Sequence, residues 1–158
     1  MSELTINLAV LGPGLSRVKL VAEPQELGLE SSSWSGRIEA DLSVEKNGER
    51  VSVRGRVNAV TGLECVRCLR HYDLPLSVPV EVFAEKAGTG SRSEEQELER
   101  DHYMMFHDGR RLDLAEEAHD VLLLEMPMAP LCRDDCRGLC PRCGADLNDG
   151  PCGCPSET

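Results

Sequence analysis

The residues with the most chemistry to offer are eight cysteines: Cys65, Cys68, Cys132, Cys136, Cys140, Cys143, Cys152 and Cys154. They read C-x2-C, a long gap, then C-x3-C-x3-C-x2-C-x8-C-x-C. Loops of two or three residues let paired thiolates face one tetrahedral ion at about 2.3 Å, and eight sulfurs divide into two four-thiolate sites. Tetrahedral sulfur ligation favours zinc, with iron second. The spacing therefore predicts two zinc ions with all eight cysteines as ligands. A disulfide framework is the competing reading, but it needs an oxidising compartment. The start, MSELTINLAVLGPGL, shows neither a basic leader nor a clear cleavage site, so a reducing, cytoplasmic setting is expected.

Two partitions of the sulfurs are open. Cys140-Pro141-Arg142-Cys143-Gly144 is a knuckle in itself, and Gly144 lets the backbone turn its amides toward sulfur. Cys152 and Cys154 return after a turn-rich interval, so these four close a site with short loops. Cys132 and Cys136 would then join Cys65 and Cys68 across a long gap, which logarithmic loop-closure entropy tolerates. The alternative groups Cys132, Cys136, Cys140 and Cys143, leaving Cys65, Cys68, Cys152 and Cys154. The first partition is favoured. From Leu131 to Cys154 the only large aliphatic residues are Leu131, Leu139 and Leu147. Metal binding must supply much of that segment's folding energy.

Arg67, Arg70, Arg133, Arg137 and Arg142 flank the cysteines. Their expected work is hydrogen bonding to thiolates or nearby carboxylates; the functional alternative is a grip on phosphate or a base edge. Base stacking would fall to Tyr72, Trp34 or His71, a weak signal in a chain with one Trp, two Tyr and two Phe. His71, His102, His107 and His119 are scattered, with no H-E-x-x-H pattern, and read as surface or capping residues. A catalytic zinc keeps one position open, and two complete cysteine sets leave none. The expectation is a protein without catalytic residues, small-molecule substrate or nuclease activity. A zinc-thiolate redox switch or thiol oxidoreductase using C-x2-C is the alternative. It is disfavoured because the thioredoxin reading wants a βαβ setting.

The elements that must position these residues are mostly strands. A short strand is expected within Leu4–Leu11, a turn at Gly12-Pro13-Gly14, a second short strand over Val18–Ala22, and a loop at the serines 31–33. Arg37–Glu45 and Arg50–Val57 alternate polar and apolar residues, the period of a half-buried strand. Asn47-Gly48 between them predicts a tight hairpin. Leu74, Leu76, Val78, Val80 and Val82 repeat the alternation, which puts Cys65 and Cys68 at a turn between strands. Pro75 and Pro79 suggest that this strand has one free edge. Residues 86–101, rich in Gly, Ser and acid, read as a mobile acidic loop. Asp113 and Glu116 suggest a capping box. The helix that follows has Leu114, Ala118, Val121, Leu122 and Glu125 on one face, with Leu123 and Leu124 widening the apolar side. Pro127 and Pro130 end it.

The fold class expected is α+β: an antiparallel sheet or partly closed barrel, one covering helix and a C-terminal Cys-rich, zinc-stapled segment. Residues 1–130 would form the core domain and 131–158 a tail packed on it. The chain's 158 residues suit one such domain. Its 28 Asp and Glu against 17 Lys and Arg give a formal charge of −11. That argues against a generic basic nucleic-acid sleeve, whose affinity comes from counterion release. No apolar run reaches the ~20 residues of a membrane span.

Three stretches together resemble the YceD family, the large ribosomal RNA subunit accumulation proteins: LECVRCL at 63–69, HDGRRLDLAEEAHDVLLLEMPMAPLC at 107–132 and CRGLCPRCGADLNDGPCGC at 136–154. The resemblance covers roughly residues 50–154; residues 1–49 share only a β-rich character. It implies a cytoplasmic bacterial protein acting in rRNA processing or large-subunit assembly, with large-subunit rRNA or a basic ribosomal protein as partner. The acid-rich composition tilts that expectation toward a protein contact. Within the family the first C-x2-C and a Cys or His after the helix recur widely, whereas the Cys-rich tail is confined to some branches. This supports Cys65 and Cys68 joining Cys132 or Cys136, and makes the tail site an accessory. The resemblance transfers no catalytic residue.

Overall fold

The computed structural model describes residues 4–86 and 105–154. Its centre is an open five-stranded sheet built from the alternating stretches. In chain order the strands are β1 (Thr5–Asn7), β2 (Gly14–Ala22), β3 (Trp34–Asn47), β4 (Arg50–Glu64), β5 (His71–Lys86), β6 (Met105–His107) and β7 (Arg111–Asp113). The main sheet runs β2-β3-β4-β5-β6, while β1 and β7 form a separate antiparallel ribbon. The described strands close no barrel, and the antiparallel sheet of the expectation is what they form. The last pairing departs from expectation: β6 runs parallel to β5, over Ala84–Lys86.

Period-two patterning sorts the faces as expected. Ile38, Ala40, Leu42 and Val44 of β3, Val51, Val53, Val57 and Ala59 of β4, and Leu76, Val78, Val80, Val82 and Ala84 of β5 are buried. The opposite face carries polar cross-strand pairs such as Arg54–Glu81 and Lys19–Glu39. At Gly55 the neighbouring strand comes too close for any side chain. A Cβ there would collide with the Asp41 carbonyl oxygen and lie 2.9 Å from the Leu42 Cα.

The β1–β7 ribbon and one helix, α1 (Ala115–Glu125), cover the apolar face. Leu4, Ile6, Leu8, Leu112, Leu114, Ala118 and Leu122 join the sheet's side chains in a single core. Three local expectations change. The N-cap of α1 is Leu114, without a side-chain cap, because Asp113 is the last residue of β7. The Asp113 carboxylate instead accepts the Ala115 N–H at 2.9 Å, so no capping box forms. Leu123 and Leu124 do not widen the buried side; they are exposed, Leu124 by 85%. Finally, β2 starts at Gly14 rather than Val18, since β3 is long enough to pair it from Gly14 onward.

The hairpin tip is Gly48-Glu49, one residue later than expected, with Asn47 and Arg50 as the closing pair. From there β4 and β5 pair without interruption from Arg50–Glu85 to Glu64–His71. This long hairpin presents Cys65–Arg70 at its far end. Apart from β6, β5 has no partner on its outer side among the described residues, which agrees with the free edge read from Pro75 and Pro79. Of the acidic stretch 86–101, all but Lys86 lies outside the described residues, as does His102.

Candidate metal centres

The β4–β5 turn supplies Cys65 and Cys68. The chain leaving α1 crosses this turn, where the Val66 N–H donates to the Pro130 carbonyl at 2.9 Å. That crossing delivers Cys132 and Cys136. The sulfurs of Cys65, Cys68, Cys132 and Cys136 lie within 4.8 Å of one another, and so do those of Cys140, Cys143, Cys152 and Cys154. This is the first of the two partitions left open by the spacing. Contacting sulfurs stand 3.7 Å apart for Cys65–Cys136, 3.6 Å for Cys68–Cys132 and 3.5 Å for Cys140–Cys152. A disulfide requires about 2.05 Å. A tetrahedron with arms of about 2.3 Å has edges of about 3.8 Å, so the spacings fit four thiolates around one zinc. The first set is the more enclosed: Cys65, Cys68 and Cys136 are buried, with Tyr72, Leu131 and Leu139 packed around them. In the second only Cys140 is buried, and Cys143 is exposed.

The two C-x2-C turns share one backbone scaffold. Leu69 N–H donates to the Cys65 carbonyl at 2.9 Å, as Gly144 N–H does to Cys140 at 2.9 Å. Cys65 N–H donates to the Arg70 carbonyl at 2.9 Å, as Cys140 N–H does to Ala145 at 2.8 Å. The residue after the second cysteine is left-handed in both, Leu69 at φ 61° and Gly144 at φ 76°. Glycine enters that region freely, whereas leucine is strained there.

This scaffold aims amides at the first sulfur of each turn. The Cys68 N–H holds the Cys65 thiol down at about 6. The N–H groups of Cys143 and Arg142 do the same for Cys140, also at about 6. Each set also holds at least one thiol that resists ionisation. Burial pushes Cys132 up to about 12. A hydrogen bond with the Cys143 sulfur, and then burial, push Cys154 up to about 12. Four crowded sulfurs share their protons unevenly; a divalent cation would replace those protons and neutralise the repulsion. With four sulfur donors and no vacant position, such a centre organises structure rather than activating water.

Around the first set, Arg67 donates to the Cys136 carbonyl at 3.0 Å. Arg70 bridges to Asp146 at 2.8 Å and Asp149 at 3.6 Å. Arg133 donates to the Asn148 amide oxygen at 2.8 Å. Arg70 thus meets carboxylates as expected, and so does Arg133, at Asp135 3.2 Å away, while Arg67 reaches a backbone carbonyl. Asn148 does reach a sulfur: its Nδ2 stands 3.3 Å from Cys136 Sγ and holds that thiol below its usual range. Sequence reading missed Asn148 and Asp146, because Asp and Asn in a turn-rich stretch ordinarily serve their own backbone. Asp146 does that too, accepting the Asn148 N–H at 2.9 Å.

The proposed stacking residues separate. Trp34 is buried in the sheet core, Tyr72 packs beside the first set, and His71 is exposed near Glu64. Trp34 therefore cannot offer a face to a base. His107, expected as a surface or capping residue, is buried and serves backbone: it accepts the Gly109 N–H through Nδ1, so its Nε2–H donates to the Glu49 carbonyl at 3.1 Å. No helix among the described residues is long and apolar enough to cross a membrane.

Comparison with known proteins identifies relatives of the chain. Residues 53–158 match the model of the family described as large ribosomal RNA subunit accumulation protein YceD. An uncharacterised protein of Mycobacterium tuberculosis is 35% identical over 158 residues, covering 95% of this chain and 73% of that protein. An uncharacterised protein of Mycobacterium leprae is 33% identical over 153 residues, covering 93% and 69%. The chloroplastic large ribosomal RNA subunit accumulation protein YCED homolog 1 of Zea mays is 28% identical over 177 residues, covering 92% and 60%. No solved structure matches the chain. By the extent of the family match, together with relatives that span nearly its whole length, this chain belongs to the YceD family.

Proposed function

We propose that this chain is a non-catalytic factor in large-subunit ribosomal RNA accumulation, acting in the bacterial cytoplasm, with two structural zinc centres that hold its C-terminal segment on the sheet. The observation that carries the zinc reading is the donor set: eight cysteines in two groups of four at tetrahedral spacing. The role in rRNA accumulation rests on family membership. Metal analysis of the purified chain tests the first part. The expected result is about two zinc per chain, falling to about one in Cys65→Ser. A single zinc in the parent chain defeats the two-centre reading.

A basic protein of the large subunit is the favoured partner. Residues 112–132 contain five acidic side chains and no Lys or Arg, and Leu123, Leu124 and Met128 stand exposed among them. Phosphate would be repelled from such a surface, whereas a basic protein would be attracted. Capture of large-subunit components with and without RNase tests this. Large-subunit proteins retained after RNase support a protein contact, and their complete loss supports rRNA. Absence of every large-subunit component from both samples counts against the proposed role.

A further inference from the structure

The interval 145–151 joins the two halves of the second cysteine set, yet its side chains serve the first. Asn148 donates from Nδ2 to Cys136 Sγ at 3.3 Å. Its Oδ1 accepts from Arg133 Nη2 at 2.8 Å and from the Arg137 N–H at 2.9 Å. Two N–H donors on the oxygen fix which end of the amide faces sulfur, since an amide nitrogen could not accept them. The loop is held against the first set at two further points. Arg70, two residues after Cys68, grips Asp146 at 2.8 Å, and Leu147 N–H donates to the Gly138 carbonyl at 2.9 Å. Both ends of the loop are tied by the second set, at Cys143 and Cys152.

We propose that Asn148 is a positioning residue for the first metal centre, supplied by the second, so that filling the second centre strengthens the first. This rests on the zinc reading above. A hydrogen bond to a ligating thiolate disperses its charge and fixes its direction, and partners of this kind commonly contribute 10–100-fold to metal affinity. With the second centre empty, the first must order the loop by itself. Linkage makes the effect reciprocal: an empty first centre weakens the second by the same factor.

The test is competitive zinc titration against a chromophoric chelator on the full chain, with cadmium NMR to assign each affinity to its centre. Asn148→Asp keeps an oxygen for Arg133 and the Arg137 N–H but removes the donor to sulfur, with all eight cysteines intact. It should weaken the first centre about tenfold or more and perturb mainly that centre's cadmium resonance. Were Asn148 only a loop staple, Asn148→Asp would bind zinc at the first centre like the parent, and the assignment would fall. The double variant Cys152→Ser, Cys154→Ser should also weaken the first centre; an unchanged affinity there overturns the coupling. A parent chain that takes up no zinc removes the metal reading itself, and that outcome is read before any variant is compared.

Discussion

The sheet and the cysteine-rich segment reach order by different means. Between Leu4 and Leu122, two dozen buried apolar side chains form one core, and strand pairing satisfies most of the backbone. From Met126 to Cys154 there is no α-helix or multi-residue strand, only an isolated bridge between Leu139 and Asp146 and one 3-10 turn at Leu147–Asp149. Here sulfur clusters and a few directed hydrogen bonds stand where a core would be. The lesson is that one chain can hold two kinds of order side by side, one set by a water-excluding core and one by clustered sulfurs, joined at the Cys65–Cys68 turn.

Removing metal should separate the two regions most sharply. With chelator, amide exchange in residues 131–154 should rise by orders of magnitude while β2 to β5 keep their protection. The loss is on the order of 10 kcal/mol of binding free energy per centre. Loss of protection throughout β2 to β5 would show that the sheet, too, depends on the ions.

The opposite lesion is Gly55→Ala. The added methyl meets the backbone of β3, and overpacking of this kind costs roughly 3 kcal/mol. Denaturant unfolding should show the loss, while the zinc content of the folded protein stays unchanged. A neutral result would mean that β3 and β4 can part locally at little cost.

The two C-x2-C turns sharpen the comparison, since they differ at one matched position. Leu69→Gly should relieve the left-handed strain and stabilise its turn by about 1 kcal/mol, and Gly144→Leu should cost about the same at the other. Thermal unfolding of the zinc-loaded variants reads both signs. Equal effects of the same sign would show that the shared scaffold is not what limits either turn.

The smallest effect is expected from Arg70→Ala. The pair with Asp146 is short but half exposed, and such bridges contribute less than about 1 kcal/mol, less again in high salt. A larger loss, confined to the Cys-rich segment, would show that the loop depends on this bridge more than on Asn148.

Much of this was legible in the residues. Alternation over Arg37–Glu45, Arg50–Val57 and Leu74–Val82 gave β3, β4 and β5 with the correct faces, because a half-buried strand writes its environment at every second position. Cysteine spacing narrowed the sulfur groups to two partitions and favoured the one that the fold adopts. The misses have physical causes. Leu123 and Leu124 read as core because hydrophobicity alone does not say where a helix's covered face ends. The parallel β6 depends on long-range pairing that no local pattern records. The left-handed turn at Leu69 was hidden because leucine does not advertise that conformation as Gly144 does. Asn148 was hidden because its sulfur partner lies twelve residues back along the chain and is brought near only by the fold.

The wide separation of the first centre's halves also bears on birth order. Cys68 and Cys132 have 63 residues between them, and ribosomal synthesis adds about 5–20 residues per second. For some seconds of every translation round, the emerging hairpin therefore carries an unfinished pincer of two thiols with nothing to close on. During that window the nascent chain cannot assemble the four-sulfur group of the mature one, and its last-made stretch completes work begun near its middle.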